Sequence, residues 1–434
     1  MNAATSGAPV PDWAARAAAA ERSVAGRHLH RPWLTPWARL AWTAHPPTLS
    51  VRSFVTFHYW WQAQVLDCLL DAQVRAPTPE RRRMIARWPA VMALHNGAGW
   101  LNQYYDDNAW LGLALDRMQR ELGIVVPARW GLADLPGVRR VVAGRALGRP
   151  GGREPGRRAL AVDRIVARLE DGWAEQPLGG GIPWRLGDAF RNTPANGPMT
   201  ILLARRGRLD RARDALEWMR ARYPDPATGL MVDGIRPDPS GATPWLVDRA
   251  FYTYNQGVVL GAEVAVLRAA LDRGLAGAAD IVDTASRVLR LVEAIERWMA
   301  DGHVLVGYQG QAERGGDEGL FRGILARYLT LVATDLPGQG DPARAARRLA
   351  ATLVRTTADA CWEHRAQDGQ QVWFGPDARV PARVPRRSDA VVAGASAAGV
   401  ESAAVPERDL SVQVGAWMLL EAAARCPRED PTPA

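Results

Sequence analysis

One constraint dominates this chain: apolar residues recur at helical spacing almost from end to end, and Pro and Gly cut the pattern into about twelve segments. Strand signals are scarce. The segments pair as 11–25 with 53–73, 79–94 with 106–121, and 159–173 with 196–205. The remaining pairs are 209–222 with 249–271, 278–299 with 317–333, and 342–364 with 406–424. First members such as RRRMIARWPAV, RARDALEWMRAR and ARAARRLAATLVR carry Arg and Ala around one apolar stripe, so each buries a single face. Second members such as WWQAQVLDCLLDA, NAWLGLAL, NQGVVLGAEVAVL and GLFRGILARYLTLV are apolar on most faces and need burial all round. Six hairpins, each with one outward and one buried helix, satisfy both demands by closing into a ring. The expected fold is therefore all-α, an (α/α)6 toroid of six helical hairpins. Residues 10–425 are expected to form this single domain. The ends, 1–9 and 426–434, are expected to be disordered, with flexible loops at 125–158 and 376–404 where Gly, Pro, Ala and Arg accumulate.

In such a ring the buried helices run parallel, so their N-termini surround one end. Polar and aromatic residues collect just there. His58, Tyr59, Trp60 and Trp61 begin the first buried helix, and Tyr104, Tyr105, Asp106 and Asp107 open the second. Asn192 and Asn196 mark the third, and Tyr252, Tyr254, Asn255 and Gln256 the fourth. Asp317 and Glu318 open the fifth, and Asp409, Ser411 and Gln413 the sixth. A tight GGGIPW turn carries Trp184 to the same rim. Helix capping accounts for lone acids at such positions, but not for the aromatics. Two adjacent carboxylates beside flat rings suit chemistry on a sugar, where a pair of acids does acid, base or nucleophile work.

Composition narrows the alternatives. All 54 basic residues are Arg, so there is no lysine for a Schiff base, a pyridoxal anchor or a phosphate loop. The net charge of +8 is spread along helix faces without a recognition motif, so no nucleic-acid partner is expected. Cys68, Cys361 and Cys426 stand far apart, the seven His form no metal-binding motif, and Gly-x-Ser-x-Gly is absent. No metal or cofactor is expected. The N-terminal stretch lacks the charged start and apolar core of a secretory signal, and no run is long enough to span a membrane. The expectation is a cytoplasmic protein with no membrane partner.

Several stretches together resemble glycoside hydrolase family 76, whose best-known members are bacterial endo-α-1,6-mannanases. They are WWQAQVLDCLLDA, YYDDNAWLGLAL, GGGIPW, NTPANGPMTILLARRG, TYNQGVVLGA and GLFRGILARYL, with DLSVQVGAWMLLEAAA a weaker match. The resemblance implies a six-hairpin α/α barrel without cofactor or metal. It implies Asp106 as nucleophile and Asp107 as general acid/base, with retention of configuration. Neighbouring Cα atoms lie about 3.8 Å apart, which lets two carboxyls diverge to the roughly 5–5.5 Å of retaining enzymes. The substrate implied is an α-mannan or another mannose-containing glycan. Trp60, Trp61, Tyr104, Tyr105, Trp184 and Tyr254 are the expected stacking faces; Asn192, Asn196, Asn255 and Gln256 are expected to bind hydroxyls. Transfer to a second glycan, or glycan binding without cleavage, are the alternative activities. Family members are typically secreted, which stands against the cytoplasmic expectation.

Overall fold

In the computed structural model, which describes residues 12–33, 35–97, 99–128, 160–389, 395–396 and 399–427, the helical patterns become twelve long helices among the described residues. In chain order they pair as α1 (Trp13–His28) and α2 (Tyr59–Arg75), α3 (Pro79–His95) and α4 (Tyr105–Leu122), and α5 (Ala161–Gly172) and α6 (Thr193–Arg205). Then follow α7 (Leu209–Arg222) and α8 (Thr253–Leu271), α9 (Ala278–Met299) and α10 (Phe321–Asp335), and α11 (Asp341–Glu363) and α12 (Leu410–Arg425). The even-numbered helices touch in the order α2–α4–α6–α8–α10–α12 and return to α2, which closes an inner ring. The odd-numbered helices pack outside it, and the fold is an (α/α)6 toroid.

Local chemistry sets the helix limits. Thr78 Oγ1 accepts the Arg81 N–H at 3.2 Å and Pro79 follows, so α3 starts with a side-chain cap and a preset φ. Gly123, at φ +64°, closes α4 in the left-handed conformation. Four inner helices, α2, α8, α10 and α12, start later than their patterns suggest. His58 sits at φ +45°, which no helix accommodates, so α2 starts at Tyr59 rather than near residue 53. Tight 3-10 turns at Gly316–Leu320 and Pro406–Arg408 precede α10 and α12. Close approach in the ring needs small residues: a Cβ on Gly323 of α10 would lie 2.5 Å from the Gly415 carbonyl oxygen of α12.

Five small antiparallel sheets among the described residues escaped the helical reading, and two of them bear on the cavity. Antiparallel strands β1 (Arg191–Asn192), β2 (Gly234–Pro237) and β3 (Trp245–Asp248) form a small sheet with Arg191 opposite Ile235 and Gly234 opposite Asp248. The second is the hairpin Ala395–Ser396 with Gly399–Val400, inside the segment expected as a flexible loop at 376–404. The expected loop at 125–158 falls largely outside the described residues, as do the end at 1–9 and most of the tail at 426–434. No described helix is long and apolar enough to cross a membrane.

The ring is closed at mid-height and below by charge. On α2, Asp67 and Asp71 face Arg117 of α4, at 2.5 and 2.7 Å, and Arg327 of α10, at 2.5 and 2.6 Å. Arg425 of α12 approaches Asp71 at 3.4 Å. Burial alone would raise the Asp71 carboxyl; Arg117, Arg327 and Arg425 instead hold it well below the usual range. A planar guanidinium serves two carboxylates at once, which suits a chain whose basic residues are all Arg. Arg117→Met, which leaves Arg327 alone to bridge both acids, is expected to cost about 3–5 kcal/mol in urea unfolding. A loss under about 1 kcal/mol would show that this cluster behaves like a surface ion pair.

Candidate active site

The N-terminal end of the inner ring opens into a cavity of about 1020 Å³. Asp106 and Asp107, in the first turn of α4, lie on its wall. The helix start is held by the loop that carries Trp184. Tyr105 N donates to Trp184 O at 2.8 Å, and Leu186 N to Gln103 O at 2.8 Å. This stitching brings Trp184 Nε1 to Asp106 Oδ2, 3.0 Å, while Asp106 Oδ1 accepts the Asp107 backbone N–H at 2.9 Å. Asp107 Oδ2 takes one donor, Asn102 Nδ2, at 2.5 Å. Asn102 is itself fixed, because its Oδ1 accepts the Tyr104 N–H at 2.9 Å and its own N–H donates to Asn108 Oδ1 at 3.0 Å.

The electrostatics of the pair follow from these contacts. Burial pushes both carboxyls up, and so does nearby Asp317. Asp106 is pulled back by the Asp107 and Trp184 N–H groups. Asp107 carries the added repulsion of Asp106 and has only Asn102 to oppose it. Among the described residues neither has an arginine within ion-pair distance. The donor balance favours the ionised form at Asp106 and the protonated form at Asp107.

The cavity gathers Trp60, Tyr104, Trp184, Asn192 and Tyr254 around this pair. Tyr104 meets Trp184 edge-on with centroids 5.3 Å apart, and Tyr254 stacks on Phe321 at 3.8 Å and 2°. Asn192 Oδ1 is buried and finds no hydrogen-bond partner among the described residues, so it presents an open acceptor. His58 also faces the cavity, neutral because burial lowers its pKa to about 4.

Five residues expected to meet the ligand stand behind the wall instead. Trp61 is 2% exposed and spends its N–H on Asp317. Tyr105 is buried beneath the Arg168 guanidinium, 4.6 Å from its ring. Asn196 closes a buried set of bonds to Ile182 and Asn192, and Gln256 does the same to Met231 and Tyr252. Asn255 donates to Asp233 Oδ1 at 3.0 Å. Each sits at a helix start, as the pattern indicated, but the 100° step per residue turns its side chain into the wall. Conversely, Asp233 lines the cavity and was missed, since it lies in a connection with no helical pattern. The short sheet carries it: Asp233 N donates to Asp248 O, and its carbonyl accepts the Thr193 N–H. A Pro-Asp-Pro-Ser-Gly turn at 237–241 was the available signal for this hairpin. Asn102 was missed because it precedes its helix.

No group of three or more His, Cys, Asp or Glu among the described residues is arranged to hold a metal ion. Paired half-buried acids in an aromatic cleft are the arrangement that glycoside hydrolases use. Residues 159–382 match Glycosyl hydrolase family 76. That segment exceeds half of the 434 residues, and the chain belongs to this family, as an enzyme of the glycoside hydrolase class. The segment begins after Asp106 and Asp107.

The fold is shared with solved structures over nearly its whole length. An inactive variant of the α-1,6-mannanase GH76A of Salegentibacter sp. HEL1_6, with two consecutive aspartates changed to asparagine and α-1,6-mannotriose bound, aligns with a TM-score of 0.69 and 20% identity. The alignment covers 95% of this chain and 99% of that one. The Lin0763 protein of Listeria innocua aligns with a TM-score of 0.66 and 20% identity, over 95% and 97% of the two chains. Dfg5 of Chaetomium thermophilum, in complex with glucosamine, aligns with a TM-score of 0.53 and 16% identity, over 84% and 81%. No curated protein matches the sequence.

Asp233 offers a test of how dry the cavity wall is. Burial raises its pKa from 3.8 to about 7, with Asp248 adding to the shift and Asn255 and Arg236 opposing it. A raised folded pKa contributes stability that is complete below the unfolded value and lost as pH rises through the folded one. Asp233→Asn should therefore melt higher than the unaltered protein above pH 7, and the gap should vanish below about pH 4. A melting difference independent of pH would contradict this reading.

Proposed function

We propose that this chain hydrolyses α-1,6-mannosidic linkages in a mannan backbone by a retaining, two-step reaction at Asp106 and Asp107. The observation that carries this reading is the unequal hydrogen bonding of the two adjacent half-buried acids: among the described residues, two N–H donors on Asp106 and one on Asp107. Donors favour the ionised form, so Asp106 is the nucleophile and Asp107 keeps the proton. Asp106 attacks the anomeric carbon as the C–O bond to the leaving sugar breaks, and Asp107 gives its proton to the departing oxygen. Water then enters and Asp107 takes a proton from it. The resulting hydroxide equivalent displaces Asp106 at the same carbon, restoring both carboxyls. Trp60, Tyr104, Trp184 and Tyr254 offer faces to the sugar rings, and Asn192 Oδ1 accepts from a hydroxyl. The α-1,6-mannotriose complex of the Salegentibacter enzyme supports the choice of substrate, and its paired aspartates support the choice of residues.

Digestion of linear α-1,6-mannan by the protein and by Asp106→Ala and Asp107→Asn tests this, with reducing ends as the readout. The unaltered protein should release mannose oligomers, and each variant should lose at least about 10²–10⁴-fold in rate, with its melting transition retained. Near-normal turnover by either variant would refute the residue assignment. Cleavage of α-1,2- or α-1,3-mannosides in preference to α-1,6 would refute the substrate.

A further inference from the structure

A third carboxylate in the cavity wall lies outside the two-acid reaction. Asp317 occupies the Gly316–Leu320 turn before α10 and is half-buried. Its Oδ1 accepts two indole N–H groups, from Trp60 at 2.9 Å and Trp61 at 2.8 Å, and its Oδ2 accepts the Val400 N–H at 2.8 Å. Consecutive residues on a helix point about 100° apart, so one oxygen reaches both indoles only from the seam between α2 and α10. Three parts of the cavity wall meet at this group. Trp60 lies between Trp110 and Phe321, each with its ring centroid 6.4 Å away. Phe321 carries the stacked Tyr254. Val400 belongs to the segment 399–402, which also lines the cavity.

The charges around Asp317 are mostly of its own sign. Glu318 adjoins it, Asp106 and Asp107 face it from α4, and Glu401 and Arg314 line the same cavity. Asp409 accepts the neighbouring Gly316 N–H at 2.8 Å and the Ala403 N–H at 3.1 Å. His58 packs on Trp61 at 4.6 Å and is neutral. A plain turn cap would need none of the indole contacts, and an apolar residue would fill this seam without placing a charge beside two acids that already repel each other.

We propose that Asp317 is a positioning residue: it fixes the Trp60–Trp61 indoles and the 399–402 wall against the reacting pair and sets a third carboxylate beside its two acids. The proposal rests on the functional reading of Asp106 and Asp107 given above. Removing the charge while keeping an oxygen, as in Asp317→Asn, should then do two things. The amide NH2 cannot accept from Val400, so the anchor loosens. The pair also loses a repelling neighbour, so its proton leaves at lower pH.

The test combines kinetics with NMR of indole-15N-labelled protein. In Asp317→Asn, kcat/KM on α-1,6-mannan should fall roughly 10- to 100-fold, and the alkaline limb of its pH profile should move down by roughly one unit. The Trp60 and Trp61 indole N–H resonances should shift together. Asp317→Glu keeps the charge, so its alkaline limb should stay in place while its indole resonances move. A fall in rate with an unmoved limb in Asp317→Asn would overturn the electrostatic half, and unmoved indole resonances would overturn the anchor. If the unaltered protein cleaves no mannan, the proposed function fails instead, and the indole resonances still decide the anchor.

Discussion

The reactive end of this molecule depends on a half-buried acid pair with no arginine in ion-pair contact among the described residues. Asp106 and Asp107 are compensated only by N–H groups, and their pKa values rise; Asp67 and Asp71, deeper in the same ring, meet three arginines, and the Asp71 carboxyl falls. The two aspartate pairs differ in little but their surroundings. In one, the Asp71 carboxyl is held ionised, and the cluster ties four inner helices together. The other is held where one proton is easily given and taken back, which is the property an acid/base step needs. Strain of this kind at the open end requires a rigid closed end, and the arginine cluster supplies it.

The ring geometry explains why so much chemistry meets in one place. Parallel inner helices bring their N-termini to a single face, and the residues entering each helix surround one cavity. The short sheet and the loop of Trp184 complete the wall. They act through the backbone as much as through side chains, since Trp184 reaches Asp106 only because its loop is bonded to the start of α4.

The architecture was legible because two burial patterns alternate along the chain, and burial is what helical periodicity encodes. The acid pair was legible because adjacent acids next to paired tyrosines are unusual at a helix start. Which side chains actually face the cavity was not. Trp60 faces it and Trp61 does not; Asn192 faces it and Asn196 does not. One residue is 100° of helix, and the exact start of each helix decides the outcome. His58 in the left-handed region shifted the start of α2, and no local sequence signal marks that conformation. Asp233 and Asn102 lie outside any periodic segment, and only tertiary contacts bring them to the site.

The account stands on Asp106 acting as a nucleophile, and the stereochemistry of the first-formed product reports this directly. Proton NMR of the reaction on an α-1,6-mannoside should show the α-anomer appearing first and the β-anomer growing only by later mutarotation. A β-anomer formed first would mean a single displacement by water, and would contradict the assignment of Asp106.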